Sequence, residues 1–100
     1  CQVILPGSLF MKYFNITVSG KVQGVFYRSF TQKEAQRLQL TGFVRNEPNG
    51  DVYIEAEGEE PVLNELVTWC KTGSPTAVVE EVKTKEGALK KFTEFKIERK

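Results

Sequence analysis

The stretch YFNITVSGKVQGVFYR, residues 13–28, decides the fold, because it joins a strand to a helix through a loop that contains two glycines. Tyr13 to Ser19 alternates apolar and polar residues and is rich in β-formers, so it predicts a strand. From Arg28 to Leu40, apolar or small residues recur at helical spacing among polar ones, and Gly42 is placed to end that helix. These signals together predict a strand, a glycine-containing loop and a helix in immediate succession.

The rest of the chain continues the alternation of strands and helices. The remaining predicted strands are short, and they span residues 43–45, 52–56, 76–84 and 93–98. The Asn49-Gly50 pair between the first two of these is a strong signal for a hairpin. A second helix is predicted from Pro61 to Gly73, because leucine, valine and cysteine form an apolar stripe along it. Residues 85–91 are predicted to be a charged loop.

The predicted order is β-α-β-β-α-β with an added terminal strand. A split β-α-β sandwich of the α+β class satisfies this order, with one antiparallel sheet and both helices on a single face. We expect residues 11–100 to form this one domain. Residues 1–10 precede Met11, which resembles a natural start, and are expected to be a flexible arm or a remnant of cloning.

Composition excludes several classes of function. A net charge of +1 provides no global field for nucleic acid or an anionic membrane, so any anion site must be local. The absence of histidine removes the residue most often used for proton transfer near neutral pH. Because Asp51 is the single aspartate, clustered-carboxylate metal sites are hard to build. Cys70 is expected to be a buried, unreactive thiol, which fits a metal-free protein of the reducing cytoplasm.

No apolar run approaches the roughly 18 residues of a membrane-spanning helix. The opening residues lack the basic flank of a signal peptide and are broken by Pro-Gly-Ser. We therefore expect no membrane association, and for a domain of this size we expect a monomer.

The loop before the first helix is suited to holding an anion. Glycines at positions 20 and 24 allow positive φ and a close approach of the backbone to a ligand. Successive N–H groups and the start of a helix supply partial positive charge, and Arg28 would add a forked, permanently charged donor. The simpler interpretation is a glycine-rich connection whose arginine forms a surface ion pair.

Asn46 and Arg45 lie near the end of a predicted strand and also have simpler interpretations. An asparagine before a turn is usually part of the turn, although Asn49 is the more obvious turn residue here. Alternate residues of a strand face opposite sides, so Arg45 and Asn46 cannot easily point at one site. We therefore expect Arg45 to be a solvated or cross-strand charge.

Two stretches of the chain resemble a known family. Residues 20–28, GKVQGVFYR, resemble the first signature of the acylphosphatases, with Tyr27 where the family more often has phenylalanine. Residues 42–46, GFVRN, followed by GDV at 50–52 and a glycine at 58, resemble the second signature. The resemblance covers residues 12–98.

The resemblance implies a ferredoxin-like sandwich that hydrolyses acyl phosphates without a metal or a cofactor. It also implies residue roles, with Asn46 orienting the attacking water. The residues implied to bind the phosphoryl group are Gln23, Gly24, Val25, Phe26, Tyr27 and Arg28. The expected partner is a small acyl phosphate, with no nucleic acid.

Elementary chemistry agrees with these roles. The leaving group is a carboxylate whose conjugate acid has a pKa of roughly 4, so it departs without a general acid. Phosphoryl transfer needs positioning and positive charge more than covalent catalysis. An asparagine amide has an acceptor and donors, so Asn46 could align a water without titrating.

Two other functions fit the predicted fold. RNA-recognition modules share the β-α-β-β-α-β order, but they use aromatic side chains on the central strands, and the strand at 52–56 carries a glutamate and one aromatic. A regulatory or maturation domain could instead keep the anion loop and act on a channelled substrate such as carbamoyl phosphate. Turnover of acetyl or benzoyl phosphate by the isolated 100 residues would separate that role from a stand-alone enzyme.

Overall fold

Five strands and two helices follow one another in the predicted order. The computed structural model describes residues 11–24, 26–73, 75 and 77–98, so the expectation for residues 1–10 lies outside the described residues. The elements are β1 (Met11–Lys21), α1 (Tyr27–Arg37), β2 (Thr41–Asn46), β3 (Val52–Glu59), α2 (Glu60–Thr72), β4 (Val78–Gly87) and β5 (Phe95–Ile97). Gly73 ends α2 with φ 70°, as predicted.

The strands form one sheet in the order β4-β1-β3-β2-β5. β1 pairs antiparallel with both β3 and β4, and β2 pairs antiparallel with β3. The short β5 runs parallel to β2 at the far edge. The predicted ferredoxin-like α+β sandwich is confirmed, and β5 makes its sheet mixed instead of wholly antiparallel.

The hydrophobic core lies between the two helices and one face of the sheet. Alternate strand residues point to this face because successive side chains of a strand face opposite sides. The buried core residues of the strands are Phe14, Ile16, Val18, Val44, Val52, Ile54, Ala56 and Phe95. Those of the helices are Tyr27, Ala35, Leu63, Leu66 and Cys70. Both helices therefore cover a single face, as predicted.

The first helix ends earlier than predicted. α1 stops at Arg37, and Gln39 adopts φ 61°, which turns the chain so that the Leu40 N–H donates to the Ala35 carbonyl at 2.9 Å. The prediction that Gly42 ends this helix is wrong. Gly42 lies inside β2 with φ 144°, where a Cβ atom would collide with the backbone carbonyl oxygen of Glu55 on β3.

The fourth strand is longer than predicted. β4 continues to Gly87, so the first part of the predicted charged loop at residues 85–91 is strand. β4 is an edge strand, and charged side chains on an edge discourage pairing with other chains. The end of β4 is as rich in charged residues as a surface loop, so its sequence does not indicate a strand. Its pairing with β1 makes it one.

We predict that Gly42→Ala lowers the free energy of unfolding by at least about 2 kcal/mol, because it adds both backbone strain and a collision with β3. Gly50→Ala is the matched control, since Gly50 also has positive φ, 98°, but a Cβ there meets nothing within 4 Å. Urea denaturation of both variants measures the difference. Equal losses in the two variants would contradict a close approach of β2 and β3 at Gly42.

Candidate active site

The loop between β1 and α1 has a left-handed backbone at two positions. Gly24 has φ 75° and Phe26 has φ 61°, and a Cβ at Gly24 would point into open space. Val25 between them lies outside the described residues. Val22 is buried in the core and fixes the start of the loop. A left-handed residue followed by a right-handed one turns successive N–H groups to one side, which is the geometry of an anion nest, and Phe26 followed by Tyr27 of α1 is such a pair.

The start of α1 lacks the usual protein partners for its first N–H groups. Its N-cap residue is Phe26, no described side chain caps it, and its first turn holds no acidic residue. Helix starts of this kind carry partial positive charge and unsatisfied donors. An external anion would supply both the missing acceptor and the missing negative charge.

A cavity of about 300 Å³ lies in front of this loop. Its lining residues come from the loop, from the start of α1 and from the ends of β2 and β5, and they are Val22, Gly24, Phe26, Tyr27, Arg28, Ser29, Asn46 and Ile97. The cavity therefore brings together Arg28 and Asn46, the two residues with predicted catalytic roles. Val22, Ser29 and Ile97 had no predicted site role, because single apolar or hydroxyl residues carry no motif signal.

Arg28 lies in the first turn of α1, partly buried at the cavity. The ion pairs among the described residues involve other cations, such as Lys12, Arg37 and Lys90. The described part of the chain thus provides no carboxylate partner for Arg28, in contrast to the simpler interpretation of a surface ion pair.

Asn46 is the last residue of β2, and its side chain lies on the helix-covered face beside the cavity. Its Oδ1 is buried and accepts no hydrogen bond from any described residue. The turn that follows is formed by Asn49, whose Oδ1 accepts the Asp51 N–H at 3.0 Å. Asn46 is therefore not needed for turn formation, and its side-chain oxygen has no hydrogen-bond partner among the described residues.

Gln23 joins the loop to the β2–β3 turn. Its side-chain amide donates to the backbone carbonyls of Glu47 and Asp51, both at 2.8 Å. The Gln23 side chain is thus used as a cross-link, and it is absent from the described cavity lining. No pattern in the sequence indicates this cross-link, because its two acceptors become neighbours of Gln23 only in the folded hairpin.

The Tyr27 side chain points away from the cavity and into the core. Its hydroxyl donates to the Cys70 carbonyl of α2 at 2.8 Å, and its ring lies 5.4 Å from that of Trp69. Burial raises the pKa of Tyr27 above its usual range. Burial likewise raises the pKa of the Cys70 thiol to about 12, and the thiol is buried and free of a disulfide, as predicted.

Arg45 lies on the opposite face of the sheet, as predicted. Its guanidinium contacts the carboxylates of Glu47 at 2.6 Å and Glu98 at 3.3 Å. It also lies over the rings of Phe43 and Tyr53, at 5.5 and 4.9 Å from their centroids. These contacts make Arg45 a cross-strand charge and separate it from the cavity.

The face of the central strands opposite the helices differs from that of an RNA-recognition module. β3 places the acidic side chains of Glu55 and Glu57 there, and Glu57 accepts backbone N–H groups from Lys90, Lys91 and Phe92. The chain after β4 thus crosses over the face on which such modules stack bases.

The described residues contain no group of three or more histidine, cysteine, aspartate or glutamate side chains placed to hold a metal ion. None of the described helices has the length and apolar character needed to cross a membrane.

Comparisons with known proteins point to one family. The family model for acylphosphatase matches residues 14–97. A curated relative from Marinobacter nauticus, named acylphosphatase, is 50% identical over 84 residues, which cover 83% of this chain and 91% of the relative.

Two solved structures extend the comparison. An acylphosphatase from Coxiella burnetii is similar with a TM-score of 0.90 and 37% identity, covering 95% of this chain and 100% of that one. Full-length HypF in its phosphate- and nucleotide-bound form matches with a TM-score of 0.79 and 32% identity, covering 89% of this chain and 12% of HypF.

We predict that Gln23→Ala weakens the binding of inorganic phosphate and lowers the free energy of unfolding by about 1–2 kcal/mol, because two partly buried hydrogen bonds are lost. Isothermal titration with phosphate and urea denaturation measure the two effects. Gln32→Ala is the control, since its amide donates to the Phe95 carbonyl at 3.2 Å, away from the loop. Unchanged phosphate affinity in Gln23→Ala would show that the cross-link does not order the loop.

Proposed function

The chain belongs to the acylphosphatase family, and from this premise we propose how its own residues hydrolyse the carboxyl–phosphate bond of small acyl phosphates. In this proposal Arg28 and the backbone of residues 23–27 bind the phosphoryl group, and Asn46 orients the attacking water. The observation that carries it is the position of Asn46, whose buried Oδ1 lacks a partner among the described residues at the cavity that Arg28 also lines.

The phosphoryl group binds where positive charge is concentrated. Phosphoryl transfer passes through a loose transition state whose charge is spread over three equatorial oxygens. The guanidinium of Arg28 donates a fork of hydrogen bonds to two of these oxygens, and the N–H groups of the loop and the helix start serve the third. Because the backbone donors at the start of α1 are held by the helix before substrate arrives, they need little reorganisation during the reaction.

The water attacks phosphorus as the bond to the acyl oxygen breaks. The water donates one hydrogen to Asn46 Oδ1, which directs a lone pair of the water toward phosphorus. The bonding electrons leave with the carboxylate. The Asn46 amide accepts a hydrogen bond but takes no proton, so both hydrogens of the water leave on the phosphate, which then releases one to solvent. A carboxylate is stable as an anion, so this step needs no proton donor, in agreement with the absence of histidine.

The proposed reaction also agrees with a described cavity lining that holds no carboxylate, histidine or lysine side chain. A guanidinium is a permanently charged donor, and an asparagine amide does not titrate. General acid–base catalysis contributes most when a leaving group or a nucleophile needs a proton transfer in the transition state. A good leaving group and a loose transition state reduce both needs.

We predict that Arg28→Ala weakens inorganic phosphate binding by about 10- to 100-fold and lowers turnover with it, because hydrogen bonds to a charged group are lost. Phosphate affinity by titration and hydrolysis of acetyl phosphate measure the two quantities. Arg45→Ala is the matched control, since it removes the same side chain from the opposite face of the sheet. Phosphate affinity like that of the unmodified protein in Arg28→Ala would contradict the assignment.

We predict that Asn46→Ala lowers kcat for acetyl phosphate by at least about 100-fold while inorganic phosphate still binds, by analogy with removal of one stabilising donor from other enzymes. Steady-state kinetics and phosphate titration separate the two effects. Asn49→Ala is the control, because Asn49 is an asparagine of the same hairpin that serves the turn. If Asn49→Ala lost as much turnover as Asn46→Ala, the effect would belong to the hairpin and not to the amide at the cavity.

The maturation role has its own test. The match to HypF covers only 12% of the HypF chain, so a domain of this kind also occurs within a larger protein. Hydrolysis of acetyl or benzoyl phosphate by these 100 residues alone supports an independent enzyme, whereas binding of phosphate without turnover supports the maturation role.

A further inference from the structure

The lining of the cavity includes apolar side chains as well as polar groups. Arg28 is the charged side chain among the described lining residues, and Phe26 and Ile97 are the largest apolar ones apart from the inward-pointing Tyr27. These two residues come from separate parts of the fold, the loop before α1 and the last strand. Neither has a role in the proposed phosphoryl chemistry through its side chain.

Phe26 is a large aromatic residue in an unfavourable position. Its relative exposure is 74%, and its φ is 61°, a left-handed conformation that a bulky side chain rarely adopts. The exposed ring gains little from core packing that would offset this cost. Backbone strain of this kind concentrates at ligand-binding sites, where the ligand supplies the missing contact.

Ile97 forms a firmer apolar wall. It lies in β5, opposite Val44 of β2 in the parallel register, and it packs against the core. The strand is held on both sides of Ile97, because the Gln32 amide donates to the Phe95 carbonyl at 3.2 Å and the Glu98 N–H donates to the Val44 carbonyl at 2.8 Å. Ile97 therefore presents a fixed apolar surface to the cavity, whereas Phe26 presents an exposed one.

We propose that Phe26 and Ile97 form the binding site for the acyl group and favour acyl phosphates whose acyl group is apolar and larger than acetyl, aromatic ones above all. This proposal rests on the proposed function, since it requires the phosphoryl group to be held at Arg28. Arg28 is then already paired with the phosphoryl group, and the described lining offers no further charged side chain to an acyl group that carries its own charge.

The ratio of kcat/KM for benzoyl phosphate to that for acetyl phosphate tests the proposal. Both substrates carry the same phosphoryl group, so any effect of a substitution on phosphoryl binding cancels in the ratio. We expect a ratio well above one in the unmodified protein and a fall of roughly 5- to 20-fold in Phe26→Ala, within the range for losing apolar contact in a binding pocket. Ile97→Ala is expected to lower the ratio similarly.

Phe30→Ala is the matched control. Phe30 is also exposed, lies one helical turn after Phe26, and is absent from the described cavity lining. Its replacement should leave the ratio unchanged. Because Ile97 packs against the core, inorganic phosphate binding by Ile97→Ala checks that this variant is folded. If it is not folded, Phe26→Ala alone decides the question.

Three results have different meanings. A ratio in Phe26→Ala within twofold of that in the unmodified protein overturns the acyl site and leaves the proposed function intact. An equal fall in Phe30→Ala also overturns it, because the effect would then not come from the cavity. Failure of the unmodified protein to hydrolyse either substrate overturns the proposed function, and the acyl site with it.

Discussion

The parallel orientation of β1 and β2 on either side of β3 is the constraint on which the rest of the site depends. Both strands pair antiparallel with β3, so their carboxyl ends reach the same end of the sheet. Val18 of β1 and Asn46 of β2 both lie opposite Val52 of β3. The loop that follows β1 and the side chain that ends β2 therefore meet, although they are distant in sequence. Gly42 allows this arrangement because β2 approaches the backbone of β3 closely there.

A second constraint on the opposite face of the sheet completes the cavity. Glu57 is 2% exposed, and burial of a carboxylate is costly unless it is hydrogen-bonded. Backbone N–H groups of Lys90, Lys91 and Phe92 satisfy it and hold the chain that leads from β4 to β5. Burial alone would raise the pKa of Glu55, but hydrogen bonds from Tyr53 and Lys90 outweigh it and keep that pKa below its usual range. This polar anchoring positions β5 beside β2, and thereby Ile97 at the cavity.

Local signals predicted the fold well, and long-range contacts explain what they missed. The alternation in β1, the Asn49-Gly50 hairpin and the apolar stripe of α2 each involve residues close in sequence, and each was found in the structure. The parallel pairing of β5, the true role of Gly42 and the cross-link from Gln23 depend on residues brought together only by folding. The position of Arg28 and Asn46 at one cavity was predicted through motif resemblance, which carries long-range information that periodicity lacks.

The site also collects the features that weaken the fold. Phe26 is held in a left-handed conformation, the start of α1 lacks a described side-chain cap, and Asn46 Oδ1 is buried without a described partner. An unsatisfied buried polar atom alone costs about 1–3 kcal/mol. An anion would cap the helix, a water would satisfy Asn46, and an apolar group would cover the Phe26 ring. Each of these three unfavourable features is thus relieved by one part of the bound reactants, namely the phosphoryl group, the water or the acyl group. Their relief adds to the free energy of substrate binding, at the cost of lower stability of the free protein.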